Sequence, residues 1–400
     1  MFEGMQCVDG EPVIGILQRM LKNRHYAFLV PWFMDGSLSM VVLAVPLLAL
    51  KFGASALMLG ALGWIPQIVR LPLCLTAGHL SERFGRKVIV ALAAVAMIVG
   101  SLGIVFAQTS WQILLPYTLV IAGSAAFYPP LQAWIGDLSG FGELTKNLGW
   151  FNLGWCTGAA IAAWIAALIV TSGLDTVLFT ATGWATLSLI LLLSWRPRDH
   201  NSVKTQIEDS NSRPDYPSHI LLIARLATFT GFLGIIAAKT LFPKLAESWK
   251  WTDAQIATVL ATEVAGMAVS IIVCNVSPWW RGKVWPHAAA QLVYVVCGAL
   301  IVVATSPVVC GIALFVIGAA VGVAYTAALY HGLSGGKDRG RSTGIHEGIV
   351  ASSAISAGLL GGWAAQIFSL RAPYVIFSVV SAICLIVTIS LPLRARSVRA

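Results

Sequence analysis

Charge is what this sequence has least of. Only 11% of its 400 residues are charged, 26 basic and 17 acidic, where soluble domains carry about 25%. With 58% hydrophobic residues and a mean hydropathy of +0.81, it cannot clothe a soluble core of this size in polar surface. An ordinary soluble globular fold is excluded. Catalytic signatures are missing too. There is no H-E-x-x-H and no phosphate-binding G-x-x-x-x-G-K, so the metalloprotease and nucleotide-driven classes lose their support. The seven cysteines are odd in number and include no C-x-x-C, which speaks against a disulfide framework or a metal site. The excess of nine positive charges is not interleaved with aromatics, so nucleic acid is not an expected partner. Nothing calls for a cofactor or a metal. Residues 1–25 are mixed and polar, without the short apolar core of a signal peptide.

What is abundant is apolar runs of bilayer length. An α-helix needs about 20 residues to cross a membrane. Twelve such runs can be drawn: 26–50, 56–78, 88–107, 111–135, 148–170, 177–195, 218–243, 253–276, 284–305, 308–331, 343–368 and 372–393. The basic residues test the count. Those outside the runs fall at 19–24, 83–87, 146, 196–213, 281–283, 337–341 and 394–399, all on one side. Only Lys51, Lys244, Lys250 and Arg371 fall on the other. That asymmetry predicts twelve spans, both termini in the cytoplasm, and a place in the cell membrane. The bilayer is then the chief partner. The polar stretch 196–217 reads as a flexible cytoplasmic linker dividing two six-span units, 26–195 and 218–393. Residues 1–25 and 394–400 read as short cytoplasmic segments.

Equal halves invite a search for duplication. Pro46 and Pro243, Gly85 and Gly282, and Tyr128 and Tyr325 are each 197 residues apart, and Gly149 and Gly344 are 195 apart. Each pair falls in equivalent spans or loops, which predicts a repeated six-helix unit.

The stretch Gly78–Lys87, GHLSERFGRK, concentrates charge between the second and third runs. Gly78, Leu80, Glu82, Arg83, Gly85, Arg86 and Lys87 resemble the signature loop of the major facilitator superfamily, with Glu82 where an Asp is usual. A degenerate copy, Arg281-Gly282-Lys283, sits in the matching place of the second half. The resemblance covers nearly the whole chain. It implies an all-α integral membrane fold of twelve transmembrane helices in two pseudo-symmetric six-helix bundles. It also implies secondary transport of a small molecule by alternating access, in a monomer. In that family the loop steadies one state; Glu82 would hold a basic partner or helix N-terminus across the halves, or serve as a topology anchor alone. Span five reads GWFNLGWCTGAAIA, with glycines but no proline, and span four lacks a basic residue. Both are departures from the drug antiporters of the superfamily.

Ionisable groups inside spans are costly and mark function. Asp35, nine residues into span one, and Arg70, eight before Gly78, both lie roughly 12–14 Å from the same face at 1.5 Å per residue. Their depth allows a pair, either structural or one that substrate or proton competes for. Arg225 in span seven either snorkels or faces a cavity; Lys239 is expected to snorkel. Glu263, with Gln67 as its repeat partner, is the deepest acid and has no cation within a turn in sequence. It is a candidate for carrying a coupling proton or for a plain interhelical hydrogen bond. His346 and Glu347, with Asn152 as repeat partner of the latter, open span eleven. They fit a cytoplasmic gate against the Lys337–Arg341 loop, or an acid favoured by a helix N-terminus. The expected activity is proton-coupled transport of a small organic solute. The alternatives are lipophilic-cation efflux and a transport-inactive membrane sensor.

Overall fold

The computed structural model describes residues 7–8, 11–138, 144–196, 216–334 and 339–397. Nearly all of the expected linker, residues 197–215, lies outside them. Twelve helices dominate: α1 Val13–Lys51, α2 Ala56–Phe84, α3 Arg86–Val105, α4 Ser110–Asp137, α5 Leu144–Ile169, α6 Leu174–Ser194, α7 Ser218–Ser248, α8 Asp253–Val276, α9 Trp285–Val303, α10 Pro307–Ser334, α11 Arg339–Ile367 and α12 Ala372–Ser397. Each contains a stretch long and apolar enough to cross a membrane. A two-residue antiparallel hairpin, β1 Cys7–Val8 with β2 Glu11–Pro12, precedes α1. An even number of crossings puts the start of α1 and the end of α12 on one side, here the near face; the other is the far face.

Two boundaries differ from expectation for the same reason. Hydropathy sees apolar density and misses amphipathic helix. Within residues 1–25, helix α1 begins at Val13, because Val13, Ile16, Leu17 and Met20 recur at helical spacing; its membrane-crossing part starts at Arg24. Likewise residues 78–84 of the signature stretch are not loop but the last two turns of α2. Nothing before Gly85 interrupts a helix. Gly85 alone makes the turn, at φ +94, and its repeat partner Gly282 does the same at φ +65. A side chain at such φ costs about 1 kcal/mol. Gly85→Ala is expected to lose about that much stability. Gly282→Ala should lose more, because its Cβ would lie 2.6 Å from the Tyr216 ring. Thermal unfolding of the two variants in detergent checks the order.

Three of the far-face turns are set by capping. Ser55 accepts from the Met58 amide at 3.2 Å, Thr109 from Gln112 at 3.4 Å, and Thr252 forms a capping box with Gln255. Large apolar side chains such as Leu115, Leu168, Val276 and Ile386 stand exposed around the outside, a surface suited to lipid and not to water.

Packing follows the repeat. In the first half α1 lies against α5 and α6, α2 against α4, and α3 against α4 and α6; in the second, α7 lies against α11 and α12, α8 against α10, and α9 against α10 and α12. The halves meet where α2 packs on α11 and α5 on α8, with α7 touching α1 and α2. At the far face they are shut. A Cβ on Gly60 would stand 2.3 Å from the Gly358 oxygen and 2.9 Å from Gly362 Cα, so the α2 and α11 backbones touch. Two polar ties reinforce the closure: Lys244 Nζ donates to the Ala54 carbonyl at 2.8 Å, and Lys51 pairs with Asp253 at 3.3 Å.

Candidate functional site

The central polar cluster is assembled by α2 and α11. Close glycine packing near the far face lets the two helices run side by side. Gln67 and Arg70, one turn apart on α2, then face α11. Arg70 Nη2 meets Glu347 Oε2 at 2.9 Å, and Arg70 Nη1 donates to Gln67 Oε1 at 3.5 Å. The two charged side chains are 24% and 23% exposed, so the pair is largely withdrawn from solvent. This ion pair joins the two halves at mid-depth. Sequence depth had suggested Asp35 as the partner of Arg70, and the loop at Lys337–Arg341 as that of Glu347. Depth along separate helices fixes height and not azimuth, and the azimuth of Arg70 points to α11. Lys337 lies outside the described residues, as do the side chains of Arg339 and Arg341.

Asp35 sits beside the pair on α1, buried, with Arg70 and the Tyr128 hydroxyl in electrostatic reach. Its Oδ2 completes no hydrogen bond to a described residue. Tyr128 of α4 has a counterpart across the halves in Tyr325 of α10. Tyr325 lies in reach of Glu347, Arg70 and Asp35. The His346 ring meets it edge-on at 4.7 Å, and Trp155 of α5 at 6.0 Å. The Trp155 indole in turn donates to Asn152 Oδ1 at 3.1 Å. His346 is 2% exposed, and neither ring nitrogen has a hydrogen-bond partner among the described residues. The two tyrosines were recognisable in sequence only as repeat markers, not as site residues. Arg225 on α7 is half-buried, acts on His346, and makes no ion pair to a described residue.

Glu263 is not alone, as its sequence neighbourhood had suggested. Lys239 Nζ of α7 lies 3.2 Å from its Oε2, and Glu263 is 1% exposed where Lys239 is 25%. Lys239 therefore turns inward to an acid and does not snorkel outward. The pair is invisible in sequence because 24 positions and a helix turn-around separate its members.

The signature stretch works within the first half. Arg86 contacts Asp137 at 3.1 Å, Glu82 at 3.6 Å and Ser81 Oγ at 2.7 Å, and donates to the Gly78 carbonyl at 3.3 Å. Lys87 Nζ closes the end of α6, donating to the carbonyls of Leu193 and Trp195 at 2.8 and 2.7 Å. Glu82 reaches Arg86 and His79, both in its own half, and the Arg83 guanidinium lies over the Phe84 ring. The second copy has different chemistry. Arg281 covers the Tyr330 ring at 4.6 Å, the Gly282 amide donates to His331 Nε2 at 3.4 Å, and the Lys283 amide donates to the Trp280 carbonyl. Among the described residues no cluster of three His, Cys, Asp or Glu is placed to hold a metal ion.

Twelve membrane helices in two related bundles, joined by a charged pair at mid-depth, define a class of membrane protein that comparison makes specific. The family model of the Major Facilitator Superfamily matches residues 27–331, and the chain belongs to that family. Among curated relatives, a Bacillibactin exporter of Bacillus subtilis (strain 168) is 30% identical over 161 residues, 36% of this chain and 40% of the relative. A probable 4-methylmuconolactone transporter of Cupriavidus pinatubonensis is 27% identical over 150 residues, 37% of this chain and 35% of the relative. The matched part thus spans about two fifths of the first relative's length and about a third of the second's. Solved structures agree along almost the full chain. A bacterial homolog of the human lysosomal transporter Spinster, inward-facing and unoccupied, aligns with TM-score 0.69 at 13% identity, covering 92% of this chain and 97% of its own. The nucleoside transporter NupG aligns with TM-score 0.69 at 12% identity, covering 93% and 98%. At these identities the likeness establishes the fold.

Proposed function

We propose that this protein is a secondary transporter of the cell membrane that moves a small organic solute by alternating access, coupled to protons. It acts as a monomer, with the near face in the cytoplasm. The observation that carries this reading is the Arg70–Glu347 pair, a charged contact between the two halves at mid-depth. When the halves part on the near face, the contact is lost, so whatever competes for either partner biases the state. Asp35 is the competitor within reach of Arg70. Charged Asp35 shares Arg70 with Glu347 and loosens the tie. A proton on Asp35 leaves Arg70 to Glu347 alone and favours closure. The curated relatives are named as an exporter and a transporter, which supports the transport reading. The signature stretch, Glu82 included, serves on this reading to hold α2, α3 and α6 together as one moving body. Lipophilic-cation efflux loses its main support, since Glu263, the acid such a cation would meet, already has Lys239.

The test is transport in proteoliposomes, with solutes first found by thermal stabilisation in a panel of sugars, amino acids, organic acids and lipophilic cations. Asp35→Asn is expected to keep solute exchange and to lose part of the acceleration that an imposed pH gradient gives the wild type. An undiminished gradient response in Asp35→Asn would remove the proton role assigned to Asp35.

A further inference from the structure

Between Ala227 and Thr240, α7 is buried on every side but one. The only half-buried residues there are Phe229, Phe232, Ile236 and Lys239, at steps of three and four. Those steps return to the same side of a helix, so they form one stripe. This helix packs against α8, α9, α10, α11 and α12 in its own half and α1 and α2 in the other, so it stands inside the bundle. The accessibility is therefore that of the space between the halves. Phe232 confirms the direction, its ring 6.0 Å from that of Tyr325 in the central cluster. The stripe is apolar until it ends at Lys239.

Lys239 and its counter-ion Glu263 belong to the same half. The pair is not a tie between the halves and need not break as they move. A buried ion pair is also poor evidence for stabilisation, because an apolar pair of similar size serves as well. Neither Glu263 oxygen completes a well-formed hydrogen bond to a described residue, although the side chain is wholly buried. Of the ionisable residues on helices packed against α8, Lys239 acts on Glu263, whereas Asp35 of α1, Cys156 of α5 and Tyr325 of α10 act on one another or on the Arg70 cluster. The site thus holds one cation a quarter exposed and one buried acid with bonding capacity unspent.

We infer that Lys239 receives the carboxylate of an organic acid with an aromatic or apolar body, while Glu263 gives up the ammonium and takes one proton. This deepens the transport reading above and rests on it. Charge balance sets the stoichiometry. The resting pair is neutral. A carboxylate on Lys239 would leave a second, uncompensated negative charge in the bilayer interior, and a proton from solution on Glu263 removes it. No covalent bond forms or breaks. One anion and one proton travel together, and the loaded site is again neutral. Phe229, Phe232 and Ile236 supply the wall for the apolar body.

The experiment uses the purified full chain and three matched probes: benzoate, benzamide and benzylamine. Each is scored by thermal stabilisation and by competition at about pH 6 and about pH 8, where benzoate is ionised throughout. Benzoate is expected to stabilise, and its apparent affinity to fall as pH rises, by up to about tenfold per pH unit, the limit for one linked proton. Lys239→Met should abolish the benzoate effect. Glu263→Gln should keep it and flatten its pH dependence. Because an unpaired buried charge can unfold the single variants, the double variant K239M/E263M is the control that stays neutral; it should fold and not respond to benzoate. Stabilisation by benzamide or benzylamine equal to that by benzoate, no response to any of the three, or a benzoate response surviving in K239M/E263M would overturn the inference. Spin-label distances between the halves, measured on the same samples without solute, report the transport reading separately. Halves that interconvert without binding benzoate sink the organic-acid site alone.

Discussion

Replacing Arg70 by methionine is expected to be the most damaging single change in the molecule. It strands Glu347, three-quarters buried, without its cation. Removing one member of a fully buried pair costs about 3–5 kcal/mol. The quarter exposure of both side chains lets water replace part of that, so a loss of about 2 kcal/mol is the working figure. Two outcomes follow, on two readouts. Thermal stability in detergent should fall for Arg70→Met and for Glu347→Met, and largely return in the double variant R70M/E347M, which leaves no charge uncompensated. Transport should not return. The charged pair biases which state the halves adopt, and a neutral pair has no bias to release. A drop of about 100-fold in transport corresponds to about 2.7 kcal/mol of lost coupling. The exchanged pair R70E/E347R should regain part of it. Transport that recovers in R70M/E347M would make the pair a plain structural contact.

The second large effect is steric. Gly60→Val places a branched side chain where a Cβ alone would stand 2.3 Å from the Gly358 carbonyl oxygen and 2.9 Å from Gly362 Cα. Neither neighbour is a flexible side chain that can turn aside. Relief requires the α2 and α11 backbones to separate at the far face, which is the movement that opens that side. Overpacking of this kind costs about 1–3 kcal/mol in a rigid core. Here it destabilises only the far-closed state. A shift of about 2 kcal/mol moves the balance of states roughly 30-fold toward far-open. Gly60→Val should therefore fold, expose far-face cysteine probes to labelling, and lose transport. Gly78→Ala, where no atom lies within 4 Å of the added carbon, is the matched control and should behave as wild type.

Much of this fold was readable because membrane helices obey strong local rules. Apolar runs marked twelve spans, and the spacing of Gly85 and Gly282 held into three dimensions as two left-handed turns in equivalent places. What could not be read was azimuth. Asp35 and Arg70 share a depth, yet Arg70 turns to Glu347, 277 residues away. Lys239 and Glu263 looked like an isolated cation and an isolated acid because nothing local records which face of α7 meets α8. The signature stretch misled in a different way. Both of its glycines are compatible with a loop by residue type, but only Gly85 has a backbone angle that requires one. Gly78 is an ordinary residue of α2. Tyr128 and Tyr325 carried a usable signal, since a polar aromatic repeated at equivalent mid-span positions is what a symmetric binding space needs.

The most direct test of the central claim is a pair of distances. In a cysteine-free background, spin labels at Phe106 and Val303, exposed at the far-face ends of α3 and α9, report that side. Labels at Phe84 and Val276, exposed at the near-face ends of α2 and α8, report the other. Alternating access mediated by Arg70 and Glu347 predicts two populations at each pair with opposite trends, the near-face distance lengthening as the far-face distance shortens. It also predicts that Arg70→Met shifts their ratio by roughly 10-fold or more. A single distance at each face, unchanged by Arg70→Met and by pH, would contradict that mechanism.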